Sequence, residues 1–107
     1  MPTVESKTPV FQAGSSATLN IRVVKNGEAE DVSAATRKNL IYIKPRTGER
    51  VVVALSNLTD GADGWLTVTF TPAQIQAAGS YPCQLDLKYG DWDGPTKTFA
   101  FECLPNL

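Results

Sequence analysis

The chain has 107 residues, with 10 Lys or Arg against 11 Asp or Glu, a formal net charge of −1 and no histidine. That length fits one domain able to bury its own core, and the charge balance lacks the cationic excess that binding a nucleic-acid backbone requires. No apolar run is long enough to span a bilayer, and the missing histidine removes the commonest general base and transition-metal ligand, so neither an enzyme nor a bound cofactor is expected.

In chain order, residues 1–16 mix prolines, hydroxyl residues and one apolar pair, Val10 and Phe11, and read as an extended arm ahead of a domain over 17–107. The amino terminus lacks the charged-then-apolar pattern of a secretory signal, which implies synthesis in a cytoplasm. In "ATLNIRVV", Leu19, Ile21 and Val23 share one face while Asn20 and Arg22 share the other. This is a half-buried strand, closed by an Asn-Gly turn in "KNGE". The run Leu40 to Ile43 lacks clean alternation, which suggests burial on both sides or a twist. Pro45 ends it, "PRTG" suits a tight turn, and "ERVVVAL" reads as the return strand of a hairpin.

After a loop with two Asp-Gly pairs, "WLTVTF" sends Leu66, Val68 and Phe70 inward and Trp65, Thr67 and Thr69 outward. Thr71 as a cap, Pro72 at the first helical position and Gly79 as terminator leave room for about one or two helical turns that cross between sheets. Two further period-two strands carry Tyr81, Cys83, Leu85, Leu87 and Tyr89, then Phe99, Phe101 and Cys103. About seven short strands with turns between them predict an all-β fold, an antiparallel immunoglobulin-like β-sandwich with one short helical turn.

The chemistry-bearing residues are few. Pairing Tyr89 with Thr96 or Lys97 makes "GDWDGP" a loop of about six residues, with Trp92 at its tip or folded back over the sheet edge. Packing on its own domain is the favoured reading of Trp92. Aromatic anchors are nevertheless enriched at interfaces, so Trp92 and Trp65, with Val10 and Phe11 of the arm, are the candidate partner contacts. Asp60, Asp63, Asp91 and Asp93 could gather at one end of the sandwich around calcium, but their spacing fails the calcium-loop pattern, turn roles account for them, and no metal site is expected. With the hairpin register shifted by one, Cys83 and Cys103 come close to opposite each other, and two buried thiols are favoured over a disulfide. The Asn57-Leu58-Thr59 triplet matches a glycosylation acceptor, but without a secretory signal it carries no weight.

The run "EDVSAATRKNLIYIKPRTGERVVV", followed by "TDGADGWLTVTF" and "AAGSYPCQLDLKYGDWDGPTKTFAFEC", resembles the immunoglobulin-like domains of tailed-bacteriophage virion proteins. It is similar to the amino-terminal domain of the baseplate upper protein family and its stand-alone relatives. The resemblance rests on Asp31 to Thr36, the Lys44-Pro45 and Gly48 turn, Asp63-Gly64 before a strand, Ala78-Gly79 before another, and Trp92 with Phe99. It implies a non-enzymatic virion protein whose partners are other virion proteins, either the major capsid protein or tail and baseplate subunits, with homo-oligomers on the particle a further expectation. A sandwich of this size suggests capsid decoration first. A baseplate or tail-tip component is the alternative, and a carbohydrate- or receptor-binding module is kept from a different class. Trp65 and Trp92 exposed on one flat face would favour that last reading.

Overall fold

Alternate residues of Ala17–Lys25 and Trp65–Phe70 bury Leu19, Ile21, Val23, Leu66, Val68 and Phe70 on one side. A second sheet closes over that side. The structure, a computed structural model, describes residues 2–5 and 9–105. Its strands are β1 (Thr3–Glu5), β2 (Val10–Gln12), β3 (Ala17–Lys25), β4 (Glu28–Ala29), β5 (Arg37–Ile43), β6 (Arg50–Ala54), β7 (Ser56–Asn57), β8 (Trp65–Phe70), β9 (Gly79–Tyr89), β10 (Trp92–Pro95) and β11 (Phe99–Leu104). Sheet I has the order β1-β3-β8-β7 with β4 beside β3, and sheet II the order β2-β11-β9-β5-β6 with β10 beside β9. This is the immunoglobulin arrangement, and the first strand of that arrangement is split between the two sheets.

The split corrects two expectations. Residues 1–16 were expected as an arm, yet β1 pairs antiparallel with β3 and β2 runs parallel to β11, so its described residues belong to the sandwich. Residues 1 and 6–8 lie outside the described residues. The β2–β11 pair also makes sheet II mixed rather than purely antiparallel. The physical reason is Phe11, whose ring meets Phe101 at 5.7 Å and Phe70 at 6.3 Å edge-on and so anchors β2 over the core.

The turns follow their residues. Asn26 and Gly27 both take positive φ, 54° and 80°, the type I′ geometry that suits a two-residue hairpin between β3 and β4. Thr71 caps a single 3₁₀ turn, Pro72–Ile75, its amide donating to Gln74 Oε1 at 2.8 Å, and the chain crosses there from sheet I to sheet II. Gly79 does not end that turn; it opens β9. In β5, Leu40 and Tyr42 are buried while Ile41 and Ile43 are only half-buried, so one face of the strand carries the core contacts.

The core between the sheets is centred on aromatic rings. Phe101 stacks on Tyr81 at 4.7 Å with an 11° interplanar angle and also meets Phe70 and Tyr42. The two tyrosines keep their hydroxyls satisfied: Tyr42 donates to Gln74 O at 3.2 Å and Tyr81 to Ala77 O at 2.6 Å. Burial pushes Tyr42 up to about 12, so the phenols stay neutral.

A bulge sets the last part of sheet II. Pro95 stands opposite Asp86, whereas Phe99 stands opposite Cys83, so β10 and β11 together spend one more residue than β9 does. Thr96, fully buried, holds the bulge: its amide donates to Leu85 O, and its hydroxyl accepts from Leu85 N and donates to Lys97 O. The extra residue switches parity. Trp92 and Gly94 lie on the core side of β10, and Phe99, Phe101 and Cys103 lie on the core side of β11.

Candidate partner-binding surface

The segment around Trp92 is not a six-residue loop. Trp92 pairs directly with Tyr89 across a two-residue Gly90-Asp91 turn, with Gly90 at φ +51°. Glycine at the first turn position with positive φ is the type II′ hairpin signature. Trp92 therefore sits at the start of a strand on the same face as Tyr89. It is half-buried against the core, and its indole N–H donates to Gly94 O at 3.1 Å. Beside it lies a cavity of about 300 Å³ whose walls include Lys25, Glu30, Asp31 and Asp91, a mixed-charge rim around the two aromatic rings of Tyr89 and Trp92.

Trp65 is at the same end of the molecule but on the outer face of sheet I. It stands opposite Arg22, whose guanidinium lies over the ring at 5.8 Å and donates through Nε to Asp63 O at 3.0 Å. Such a cation–π contact holds both side chains flat on the sheet. The two tryptophans thus belong to different sheets and face different ways, and they do not form the single flat platform that a sugar-binding module would use.

Three of the four aspartates are used locally rather than jointly, and Asp91 is the second residue of the turn before Trp92. Asp60 accepts from Ala62 N, and Asp63 accepts from Trp65 N and from the Thr59 hydroxyl. Asp93 pairs with Arg37, which also meets Asp86 at 2.9 Å. The Trp65 amide and Thr59 hydroxyl hold Asp63 below the ordinary carboxylate range, and the Arg37 guanidinium does the same for Asp93. Among the described residues no group of three or more metal-ligating side chains comes together.

Val10 and Phe11 point in opposite directions from β2. Phe11 packs inward on the aromatic core, while Val10, 53 % exposed, stands beside Glu102 on the outer face. Among the described residues the other large exposed apolar side chains are Val52 on β6, Leu58 after β7 and Leu104 at the end of β11. None of these three stands out in the sequence. The triple valine of "RVVVA" was the available signal for the first, because in a strand its middle residue must face away from its neighbours.

Cys83 and Cys103 lie on adjacent strands but not opposite each other. Cys83 faces Phe99 and Cys103 faces Gly79, a four-residue offset of about 13 Å along the strands, beyond the reach of a disulfide. The tight Gly90-Asp91 turn and the bulge fix that register, which differs from the one a six-residue loop implies. Both are free buried thiols, and burial pushes Cys83 up to about 12. Iodoacetamide at pH 8 is expected to alkylate both thiols in the native protein at least ~100-fold more slowly than in urea. Fast labelling of either would place it at the surface.

No curated protein matches the chain. The family model for the BppU N-terminal domain, the amino-terminal domain of phage baseplate upper proteins, matches residues 11–107. That span starts at Phe11, runs through both sheets and contains every strand from β3 to β11. The chain belongs to the BppU N-terminal domain family.

Proposed function

We propose that this chain is a non-enzymatic structural module of a tailed-phage virion, seated in the baseplate through contacts with neighbouring baseplate subunits. The supporting observation is the family match over residues 11–107. It favours the baseplate over decoration of the capsid shell, which the size of the sandwich had suggested first. The divided placement of Trp65 and Trp92 gives no support to a carbohydrate-binding role.

The module would act by docking a rigid surface, and many weak docking contacts on a symmetric particle sum to stable attachment. Outward-facing Val10, Trp65 and the edge of Trp92 are the contact candidates in this reading; Phe11 is committed to the core. Laying the first sixteen residues along a neighbour would require unpairing β1 and β2, so the docking surface is the folded sandwich itself.

The test is gold-labelled antibody against this chain on purified phage particles, with copies counted per particle. Label confined to the tail tip is the expected result. Label spread over the head would replace the baseplate reading with capsid decoration, and particles without label would remove the virion role.

A further inference from the structure

Among the described residues, β6 is the longest of the edge strands. The edge strands β1, β2, β4 and β7 have two or three residues each, and β10 carries Pro95. Short edges and proline are the usual guards against pairing with another chain. β6 has five residues, Arg50–Ala54, no proline, and an uninterrupted register with β5.

Its free hydrogen-bonding groups can be assigned. Lys44 N donates to Glu49 O and Leu55 N donates to Lys38 O, so the pairs 44/49 and 38/55 are hydrogen-bonded pairs of the β5–β6 ladder. In an antiparallel ladder such pairs recur at every second residue, so Val51 and Val53 turn their amides and carbonyls to β5. Arg50, Val52 and Ala54 turn theirs to the open edge, where no described strand meets them. On the outer face Val52 is 48 % exposed and stands beside half-buried Ile41.

We propose that the β6 edge pairs antiparallel with the β6 edge of a second copy of this chain, about a two-fold axis through Val52. In that register Val52 meets Val52 of the second copy, and Arg50 meets Ala54 on each side. All three outward-bonding residues then find partners, giving roughly six main-chain hydrogen bonds. Each arginine faces an alanine, so no like charges oppose. On the inner face Val51 meets Val53, which extends the apolar layer across the joint. An edge that satisfies itself about a two-fold forms a closed, isologous dimer rather than a fibre. This interface rests on the folded chain alone and not on the baseplate reading, so each can fail without the other.

Sedimentation equilibrium of the full chain tests it. The expected mass rises from 11.5 kDa toward twice that value as concentration increases to about 1 mM. Val52→Lys, at a side chain already half in solvent, sets two ammonium groups against each other and is expected to weaken the dimer at least ~10-fold while the circular dichroism stays unchanged. Val52→Cys is expected to give a disulfide-linked dimer on mild oxidation, because hydrogen-bonded partners stand about 5.5 Å apart at Cα. Ala54→Cys, offset by four residues or about 13 Å, is expected to stay monomeric on a non-reducing gel. A monomer at every concentration, a dimer indifferent to Val52→Lys, or cross-linking at 54 and not at 52 would overturn the proposal.

Discussion

Replacing Phe101 with alanine is expected to lower the melting temperature by roughly 15–30 °C, the largest single effect in the molecule. Phe101 is fully buried and touches four rings, Phe11, Tyr42, Phe70 and Tyr81, drawn from β2, β5, β8 and β9. Truncating such a side chain loses its transfer free energy and leaves a cavity, about 3–5 kcal/mol together, against a total stability of about 5–15 kcal/mol for a domain of this kind. Glu102→Ala, on the exposed face one residue on, is the control and is expected within about 0.5 kcal/mol of the parent. Urea titrations of both variants make the comparison. A Phe101→Ala loss as small as the Glu102→Ala loss would mean that the four rings do not form the core. By the same geometry, removing residues 2–12 would delete β1, β2 and the Phe11 ring and so uncover the aromatic cluster.

Gly64→Ala is expected to cost about 3–4 kcal/mol, and Gly27→Ala only about 1 kcal/mol, although both glycines have φ near +80°. The conformational penalty of placing an L residue at positive φ is common to the two. The difference is space. At Gly27 an added Cβ meets nothing within 4 Å, whereas at Gly64 it would stand 2.6 Å from Val23 O and 2.9 Å from Glu30 O. Those oxygens cannot simply retreat. Val23 O accepts from Glu30 N, and Val23 N donates to Gly64 O, so relief at one point breaks the bonds that tie β3 to the loops before β5 and β8. Chemical denaturation of the two variants side by side separates the terms. Equal losses would mean that the backbone at Gly64 moves aside freely.

Of the candidate surface, the residue types were legible and their directions only partly so. The outward direction of Trp65 is legible, because "WLTVTF" alternates without interruption and its parity is fixed by Leu66, Val68 and Phe70. Trp92 was expected in a six-residue loop, since Asp, Gly and Pro around it are turn formers in any context. Which two of them make the turn depends on whether the following residues can pair with Lys88 and Leu87, and no local pattern encodes that. Phe11 reads as a contact for another protein because it and Val10 form a short apolar pair in a segment of prolines and hydroxyl residues that has the look of an arm. Its actual neighbours, Phe70 and Phe101, are some sixty and ninety residues away in the chain.

Consecutive residues control the period-two burial of β3, β8, β9 and β11, the Asn26-Gly27 turn and the Thr71-Pro72 start of the crossover, and so the all-β class. Backbone preference and side-chain alternation act within a few residues and are readable there. The parity switch at Thr96, the separation of Cys83 from Cys103, the place of β1 and β2 in opposite sheets and the exposure of the β6 edge emerge only once distant strands pack together. Each of these is a matter of register or strand order between segments far apart in the chain. A one-residue slip leaves every local preference intact while turning each side chain to the other face, so it is the packing of the whole core that selects among them.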